Sequence, residues 1–139
     1  ILFVDDDVLI SYSSCLFLRD RGFRVMQADS ACAAATVLDQ LPYLSGLVTD
    51  IDLGAGEDGF DLARRMRAAE TGAPVVFVSG TASLRHAAEG VEGSVFIGKP
   101  YHPSQIAEAL HSLSIDEAAV RGQRVTANPT KSPSGSPTR

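Results

Sequence analysis

Tryptophan is absent from this 139-residue chain, and cysteine occurs only twice. Cys15 and Cys32 form neither a Cys-x-x-Cys pair nor a His-rich metal-binding pattern, which argues against a zinc site and a disulfide framework. Both cysteines lie in apolar helical patterns, so we expect two buried free thiols in a reducing cytosol. No apolar run approaches the ~20 residues that span a bilayer. The composition therefore indicates a small cytoplasmic protein without a membrane segment.

Basic residues are also scarce, and they are unevenly placed. The chain has 12 Lys and Arg against 17 Asp and Glu, and residues 121–139 contain four of the basic residues but no acidic one. The first 120 residues are thus strongly acidic, which disfavours direct nucleic-acid binding. Residues 126–139 are rich in Ser, Thr and Pro and cannot bury enough apolar surface to offset the entropy of ordering. We therefore predict one domain over residues 1–120 and a disordered basic tail over residues 121–139.

Four short apolar runs, each typical of a buried strand, end directly at polar side chains. The runs are residues 1–4 before Asp5-Asp6-Asp7, residues 46–49 before Asp50, residues 74–78 before Ser79, and residues 94–98 before Lys99. The carboxyl ends of parallel strands meet at one edge of a sheet, which is where open α/β sheets bind their ligands. We therefore expect these polar side chains to converge on one site.

The segments between the apolar runs have helical periodicity. They predict helices over residues 8–21, 31–41, 60–69, 83–89 and 103–120, and a short second strand over residues 23–28. In the first helix, Leu9, Tyr12 and Leu16 share one stripe, and Asp7 and Ser30 are predicted helix caps. The alternation of strands and helices implies an α/β fold with helices on both faces of the sheet. Right-handed crossovers favour a flavodoxin-like, doubly wound, five-stranded parallel sheet of strand order 2-1-3-4-5.

The predicted site has the chemistry of a phosphoryl group and a hard metal ion. Crowded carboxylates resist ionisation unless a cation lies among them, and Asp5, Asp6 and Asp50 offer the oxygen ligands that suit Mg²⁺. Lys99 supplies one more positive charge. An aspartate can act as a covalent nucleophile, and Asp50 stands alone at its strand end, so it is the candidate phosphoacceptor. Ser79 and Lys99 would then bind the phosphoryl oxygens.

Each candidate residue alone has a plainer interpretation. The acidic triplet fits a solvated loop with a helix cap, Asp50 fits a turn, and Lys99 fits a surface lysine. The conjunction at consecutive strand ends favours the functional interpretation of all three. The histidines lack ligand spacing, and each is expected to be a surface side chain. They are His86, His102 and His111.

Over roughly residues 1–115 the sequence resembles the receiver domain of two-component response regulators. The resemblance rests on Val4-Asp5-Asp6-Asp7, Thr49-Asp50, Asp58-Gly59, Ser79-Gly80 and Lys99-Pro100-Tyr101. It implies that Asp5 and Asp6 hold Mg²⁺ and that Asp50 is phosphorylated. It also implies that Ser79 and Lys99 contact the phosphoryl group.

The resemblance implies three further roles. The backbone carbonyl of Asp52 would be a metal ligand, and Phe96 would be a rotamer switch, with a plain core role as the alternative. Ser79 would shift toward the phosphoryl group while Phe96 or Tyr101 repacks. The chain departs from the family pattern in residues 50–59, which are glycine-rich, lack the usual proline and are one residue longer. Because glycine permits more backbone conformations, we expect this loop to be more mobile than usual.

The expected function is that of a phosphoacceptor signalling domain in a two-component phosphorelay. Its phosphoryl donor would be a histidine kinase or a histidine phosphotransfer protein. The chain would catalyse only its own phosphorylation and dephosphorylation. Phosphorylation would change an output surface made by the fourth helix, fifth strand and fifth helix, which would bind an unknown partner protein or a second copy of the chain.

Two other functions remain open from the residues. Asp50-Ile51-Asp52 also fits a magnesium-dependent phosphohydrolase with an aspartyl-phosphate intermediate, although no segment supplies a cap domain or a substrate pocket. A flavodoxin-like cofactor binder ranks last, because Asp5-Asp6-Asp7 would repel a phosphate where such proteins bind one.

Overall fold

The structure, a computed structural model, describes residues 1–41, 43–69, 72–80 and 83–126, so residues 127–139 of the predicted tail lie outside the described residues. Strands and helices alternate strictly through the described part of the chain. They are β1 (Leu2–Val4), α1 (Val8–Asp20), β2 (Met26–Ala28), α2 (Ala31–Gln40), β3 (Leu47–Asp50), α3 (Gly59–Ala69), β4 (Val75–Ser79), α4 (Ser83–Glu89), β5 (Val95–Gly98) and α5 (Pro103–Thr126). None of these helices is both long and apolar enough to cross a membrane.

The strands form one parallel sheet in the order β2-β1-β3-β4-β5, so the predicted doubly wound, flavodoxin-like topology is confirmed. The register aligns the carboxyl ends of the strands. Val4 pairs with Thr49, Asp50 pairs with Val78, and Ser79 pairs with Gly98. The polar residues at the ends of β1, β3, β4 and β5 therefore lie at the same edge of the sheet.

Both faces of the sheet are covered by helices, because the strand residues are apolar on both sides. On one face, Leu2 and Phe77 pack in a cluster with Phe60 of α3. On the other face, Phe3 packs in a cluster with Leu18 of α1 and Ile106 of α5. The sheet is thus a rigid, buried platform under the residues at its carboxyl edge.

Most predicted element boundaries agree with the structure to within a residue or two. As predicted, Asp7 and Ser30 cap α1 and α2: their side-chain oxygens accept the amides of Ile10 at 3.2 Å and Ala33 at 3.1 Å. β2 is shorter than predicted. α5 continues past the predicted end at residue 120 to Thr126, so residues 121–126 of the predicted disordered tail are helical. A single interior glycine at 122 weakens a helix but does not stop it.

The predicted stripe of α1 is wrong as a description of its buried face. Leu9, Tyr12 and Leu16 are exposed by 80%, 55% and 43%, respectively. The buried face consists instead of Ser11, Ser14, Cys15 and Leu18. The apolar residues of α1 lie on all sides of the helix, so their periodicity alone could not identify the buried face. The buried hydroxyls are tolerated because Gln27 donates to Ser11 Oγ at 3.1 Å and Tyr101 Oη lies 3.1 Å from Ser14 Oγ.

Two single-residue expectations are also corrected. Cys15 is buried, as expected, but Cys32 is exposed, because alanines supply the buried face of α2. His86 is half-buried rather than on the surface. Its ring packs 5.5 Å from Phe77 and 5.7 Å from Phe96, and its Nε2 lies 2.9 Å from Ser94 Oγ. His102 and His111 are exposed, as predicted.

Gly59 lets α3 begin directly against the end of β3. Its amide donates to the Ile51 carbonyl at 2.9 Å. A Cβ at this position would lie 2.3 Å from the Asp50 carbonyl oxygen and 3.0 Å from Ile51 Cα. Both obstacles are backbone atoms, which cannot rotate away.

We predict that Gly59→Ala lowers the free energy of unfolding by about 1–3 kcal/mol, the usual cost of overpacking. Urea unfolding should show a lower midpoint for this variant. Gly98→Ala is the matched control, because its added Cβ would meet only a Phe96 ring carbon at 3.9 Å. Equal midpoints for Gly59→Ala and the wild type would contradict the steric argument.

Candidate functional site

Four polar side chains that follow consecutive apolar runs meet at the carboxyl edge of the sheet. Asp5 follows β1, Asp50 ends β3, Ser79 ends β4 and Lys99 follows β5. Backbone hydrogen bonds extend the sheet into the site: the amide of Asp5 donates to Ala28 O at 3.2 Å, and the amide of Lys99 donates to Ser79 O at 2.9 Å. Asp5, Asp50 and Ser79 are buried, whereas Asp6 is exposed.

Lys99 lies between the two buried carboxylates. Its Nζ is 3.0 Å from Asp5 Oδ2 and 3.1 Å from Asp50 Oδ2. Burial alone would lower the pKa of Lys99, but the hydrogen bonds and negative charges of Asp5 and Asp50 outweigh it and raise that pKa. Lys99 is therefore a fixed cation, which also holds the ends of β1 and β3 toward β5.

The surroundings of Asp50 disfavour its ionised form. Its burial raises its pKa above the usual range, and the nearby charge of Asp5 adds to this rise. The hydrogen bond and charge of Lys99 act in the opposite direction without cancelling the effect of burial. One ammonium group is thus insufficient for the negative charge in the site, and a further cation would stabilise the ionised Asp50.

The acidic residues fit a hard divalent cation. Asp5, Asp6 and Asp50 each place one carboxylate oxygen so that these atoms all lie within 4.8 Å of one another. Asp5 is buried, and its Oδ2 lies 3.0 Å from Lys99 Nζ. Asp5 Oδ1 accepts the amide of Asp7 at 2.9 Å, which fixes the turn that presents Asp6. Carboxylate oxygens are the ligands that magnesium prefers.

The other predicted site residues lie around this cluster. The amide of Asp52 hydrogen-bonds to Asp50, while the exposed Asp52 carboxylate pairs with Arg85 at 3.7 Å. Phe96 is half-buried and stacks near His86. Burial raises the pKa of Tyr101, whose hydroxyl lies against Ser14 on α1. The metal role of the Asp52 carbonyl and the switch roles of Ser79, Phe96 and Tyr101 stay predictions.

Arg85 was missed by the sequence analysis. It lies on α4 and pairs with Asp52 and Asp58, which precede it by 33 and 27 positions in the chain. The only local signal is Glu89 at the i+4 position of the same helix. No sequence pattern reports the contacts across the fold.

Residues 1–111 match the family model described as the response regulator receiver domain. The chain is 32% identical over 113 residues to the transcriptional regulatory protein FixJ of Bradyrhizobium diazoefficiens, covering 78% of this chain and 53% of that protein. It is 30% identical over 122 residues to a response regulator receiver protein of Anaeromyxobacter, covering 88% of this chain and 47% of that protein. The chain therefore spans about half the length of the curated relatives it matches.

Solved structures give the same result. A response regulator receiver protein from Sinorhizobium medicae superposes with a TM-score of 0.80 at 31% identity, covering 84% of this chain and 94% of that chain. The receiver domain of the hybrid histidine kinase CckA superposes with a TM-score of 0.67 at 26% identity, covering 81% of this chain and 96% of that chain.

We predict that Asp50→Asn stabilises the fold in the absence of divalent cations, because it removes one of three crowded carboxylates. The pKa of Asp50 is raised in the folded state. The folded protein is therefore favoured while Asp50 is protonated and loses this advantage as the pH rises through the folded pKa. Urea unfolding in chelator should give Asp50→Asn the higher midpoint at pH 7, and the difference should shrink at acidic pH.

The control for this measurement is Asp7→Asn. It removes a charge from the same acidic run but keeps a side-chain oxygen for the α1 cap, so its midpoint should stay near that of the wild type. A midpoint for Asp50→Asn below that of the wild type at pH 7 would show that Lys99 compensates fully for the burial of Asp50.

Proposed function

The chain belongs to the family of response regulator receiver domains, which are signalling domains of two-component systems, and we propose that Asp50 is its phosphoacceptor. The observation that carries the proposal is the placement of the Asp50 carboxylate. It is buried at the carboxyl edge, it shares Lys99 with Asp5, and it lies beside the acidic cluster that fits a metal ion.

The proposed reaction transfers a phosphoryl group from a histidine of the donor to Asp50. An Asp50 carboxylate oxygen attacks phosphorus, and the bond between phosphorus and the imidazole nitrogen breaks with its electron pair left on that nitrogen. The other ring nitrogen of the donor histidine carries a proton, so the ring leaves as neutral imidazole. Lys99 Nζ already contacts Asp50 at 3.1 Å and would donate to an oxygen of the incoming group. The Ser79 hydroxyl, at the end of the adjacent strand, would donate to another.

Receiver domains bind Mg²⁺ in general, and we assign the ligands here to Asp5, Asp6, Asp50 and the backbone carbonyl of Asp52. Magnesium bound there would neutralise the negative charge that develops on the transferring phosphoryl group. The carboxylate oxygens of Asp5, Asp6 and Asp50, which lie within 4.8 Å of one another, support this assignment. Asp7 is excluded from the ligand set, because its carboxylate caps α1.

Receiver domains interact with histidine kinases, and we propose α1 as the surface that meets the donor. Val8, Leu9 and Tyr12 are exposed apolar side chains on the helix that begins beside the acidic cluster. A cavity of about 380 Å³ continues this surface to Lys99 and Tyr101. A contiguous apolar surface next to the reacting carboxylate is typical of a docking site. The donor would be a histidine kinase or a histidine phosphotransfer protein.

The proposed output is a change in the surface formed by α4, β5 and α5. Ser79 would shift toward the phosphoryl group, and Phe96 or Tyr101 would repack. The altered surface would bind an output protein or a second copy of the chain. The strongly acidic composition of residues 1–120 supports a protein partner rather than nucleic acid. The part of the proposed tail that follows α5, residues 127–139, would take no part in the switch.

The receiver family consists of signalling domains rather than enzymes with separate substrates. We propose that this chain catalyses only its own phosphorylation and dephosphorylation. The phosphohydrolase alternative is not supported, because the Asp52 carboxylate that would act as its acid or base is exposed and paired with Arg85. We propose that the chain is cytoplasmic, since a free thiol such as that of Cys15 stays reduced there.

We predict that Asp50 alone accepts phosphate from acetyl phosphate, and only with a divalent cation present. Asp5 and Asp6 would be occupied by the metal, so of the two carboxylates that contact Lys99 only Asp50 would keep an oxygen free to attack phosphorus. Intact-mass measurement should give one phosphoryl adduct for the wild type and none for Asp50→Asn. An adduct on that variant, or labelling that persists in chelator, would refute the assignment.

We also predict that Asp6→Ala weakens Mg²⁺ binding at least about tenfold, since even the loss of an outer-shell partner often costs that much. Calorimetric titration with MgCl₂ would measure the affinity. Asp7→Asn should bind Mg²⁺ nearly as well as the wild type, although it carries the same change in charge one residue away. Equal weakening in both variants would mean that only net charge matters and that Asp6 is not a ligand.

A further inference from the structure

Arg85 makes three ion pairs from one exposed position on α4. Its guanidinium contacts Asp58 Oδ2 at 3.0 Å, Asp52 Oδ1 at 3.7 Å and Glu89 Oε2 at 2.9 Å. Glu89 belongs to the same helix. Asp52 and Asp58 belong to the β3–α3 loop, residues 51–58, which begins directly after Asp50. Arg85 therefore joins α4 to the segment that enters the acidic cluster.

The guanidinium of Arg85 is held in place by the ring of Phe60 and by the carboxylate of Asp58. It lies over the ring of the fully buried Phe60, 5.2 Å from the ring centroid. Asp58 is itself fixed, because its amide donates to Asp61 Oδ2 and its Oδ1 accepts the amide of Asp61, both at 3.0 Å. Arg85 thus rests on a rigid base formed by the start of α3, and from there it reaches the less restrained Asp52.

The β3–α3 loop needs such a restraint. Gly54 and Gly56 have φ values of 84° and 96°, in the left-handed region that glycine adopts readily, so the loop is built from conformationally permissive positions. One further ion pair to this loop joins Glu57 to Arg65 of α3. That pair lies on the side of α2, where Arg65 also contacts Asp39. The contact of Arg85 with Asp52 is closer in sequence to Asp50.

We propose that Arg85 is a positioning residue that couples metal binding at Asp5, Asp6 and Asp50 to the order of α4. A cation held by Asp50 would restrain the adjacent residues of the β3–α3 loop. A restrained Asp52 keeps its ion pair with Arg85, and Arg85 then limits the local unfolding of α4. The inference rests on the proposed metal role of the acidic cluster, but it does not require phosphorylation.

The coupling is reciprocal, as any coupling between two equilibria must be. A partner that holds α4 in place would also restrain the β3–α3 loop and so alter the Mg²⁺ affinity. This path runs from the metal side of the site to α4. It is separate from the proposed path through Ser79 and Phe96, because it uses charged contacts between the β3–α3 loop and α4 and no residue of β4 or β5.

The test is amide hydrogen exchange of the whole chain in chelator and at saturating MgCl₂, followed by peptide mass analysis. In the wild type, Mg²⁺ should slow the amide exchange of residues 87–90, at the C-terminal end of α4, by about twofold to fivefold. This is the size expected for partly exposed ion pairs. In Arg85→Ala this Mg²⁺-dependent slowing should disappear, while the slowing at residues 51–53 should remain. Arg85→Lys, which keeps one charge but not the three-way geometry, should retain part of it.

Two control variants separate coupling from simple destabilisation of α4. Glu89→Gln removes the ion pair of Arg85 within the helix, so it raises basal exchange but should keep the full Mg²⁺ response. Arg65→Ala removes the other arginine that pairs with the β3–α3 loop, and it should also keep the response of α4. Saturating Mg²⁺ is used because the loss of a cation by itself favours Mg²⁺ binding.

An undiminished response of α4 in Arg85→Ala would overturn the inference, and so would a wild-type α4 that does not respond to Mg²⁺. Calorimetric titration of the wild type with MgCl₂ distinguishes the reasons. Mg²⁺ binding without an α4 response refutes the coupling alone. An absence of Mg²⁺ binding refutes both the coupling and the proposed metal site.

Discussion

The contact on which the site depends is that of one ammonium group with two buried carboxylates. Lys99 Nζ lies about equally far from Asp5 and Asp50, at 3.0 and 3.1 Å. Burying two negative charges is costly unless they are paired, and a single cation compensates only in part, so the pKa of Asp50 remains raised. This unbalanced charge makes the cluster receptive to a divalent cation. It also requires that β1, β3 and β5 bring their ends together in register, because a shift of one residue would turn these side chains to the other face of the sheet.

The elements that could be predicted from sequence are those specified by local patterns. Continuous apolar runs predicted the strands, and the caps Asp7 and Ser30 predicted two helix starts. The polar residues at the strand ends predicted the meeting of Asp5, Asp50 and Lys99, because the carboxyl ends of parallel strands share one edge. The errors fall where local pattern does not determine the tertiary neighbour. Cys32 lies in an alanine-rich helix that has no distinct apolar face, and His86 is half-buried because aromatic rings from two strands pack against it.

Contacts between distant charged residues mark a second limit of sequence reasoning. Asp58 lies directly before α3, and its partner Arg85 comes 27 residues later on the short helix α4. The pKa of Asp58 is below its usual range, because the hydrogen bonds from Asp61 and Arg85 outweigh the opposing effect of burial. Glycines restrain the backbone of the β3–α3 loop little. The ion pairs of Arg85 therefore contribute more to the order of this loop than exposed ion pairs usually do.

In α1, serines lie on the buried face and large apolar residues lie on the exposed face, and this arrangement also serves the site. Ser11 and Ser14 are buried where apolar side chains would normally lie, and their hydroxyls bind Gln27 of β2 and Tyr101 of the loop after β5. Serine is small enough to let α1 approach the sheet, and its hydroxyl ties the helix to the loop that carries Lys99. The larger apolar residues Leu9 and Tyr12 are thereby left on the outer face of α1, where folding does not remove their apolar surface from water. Binding of another protein to that face would remove this apolar surface from water. The packing that anchors the loop of Lys99 thus also provides an apolar surface beside Asp50.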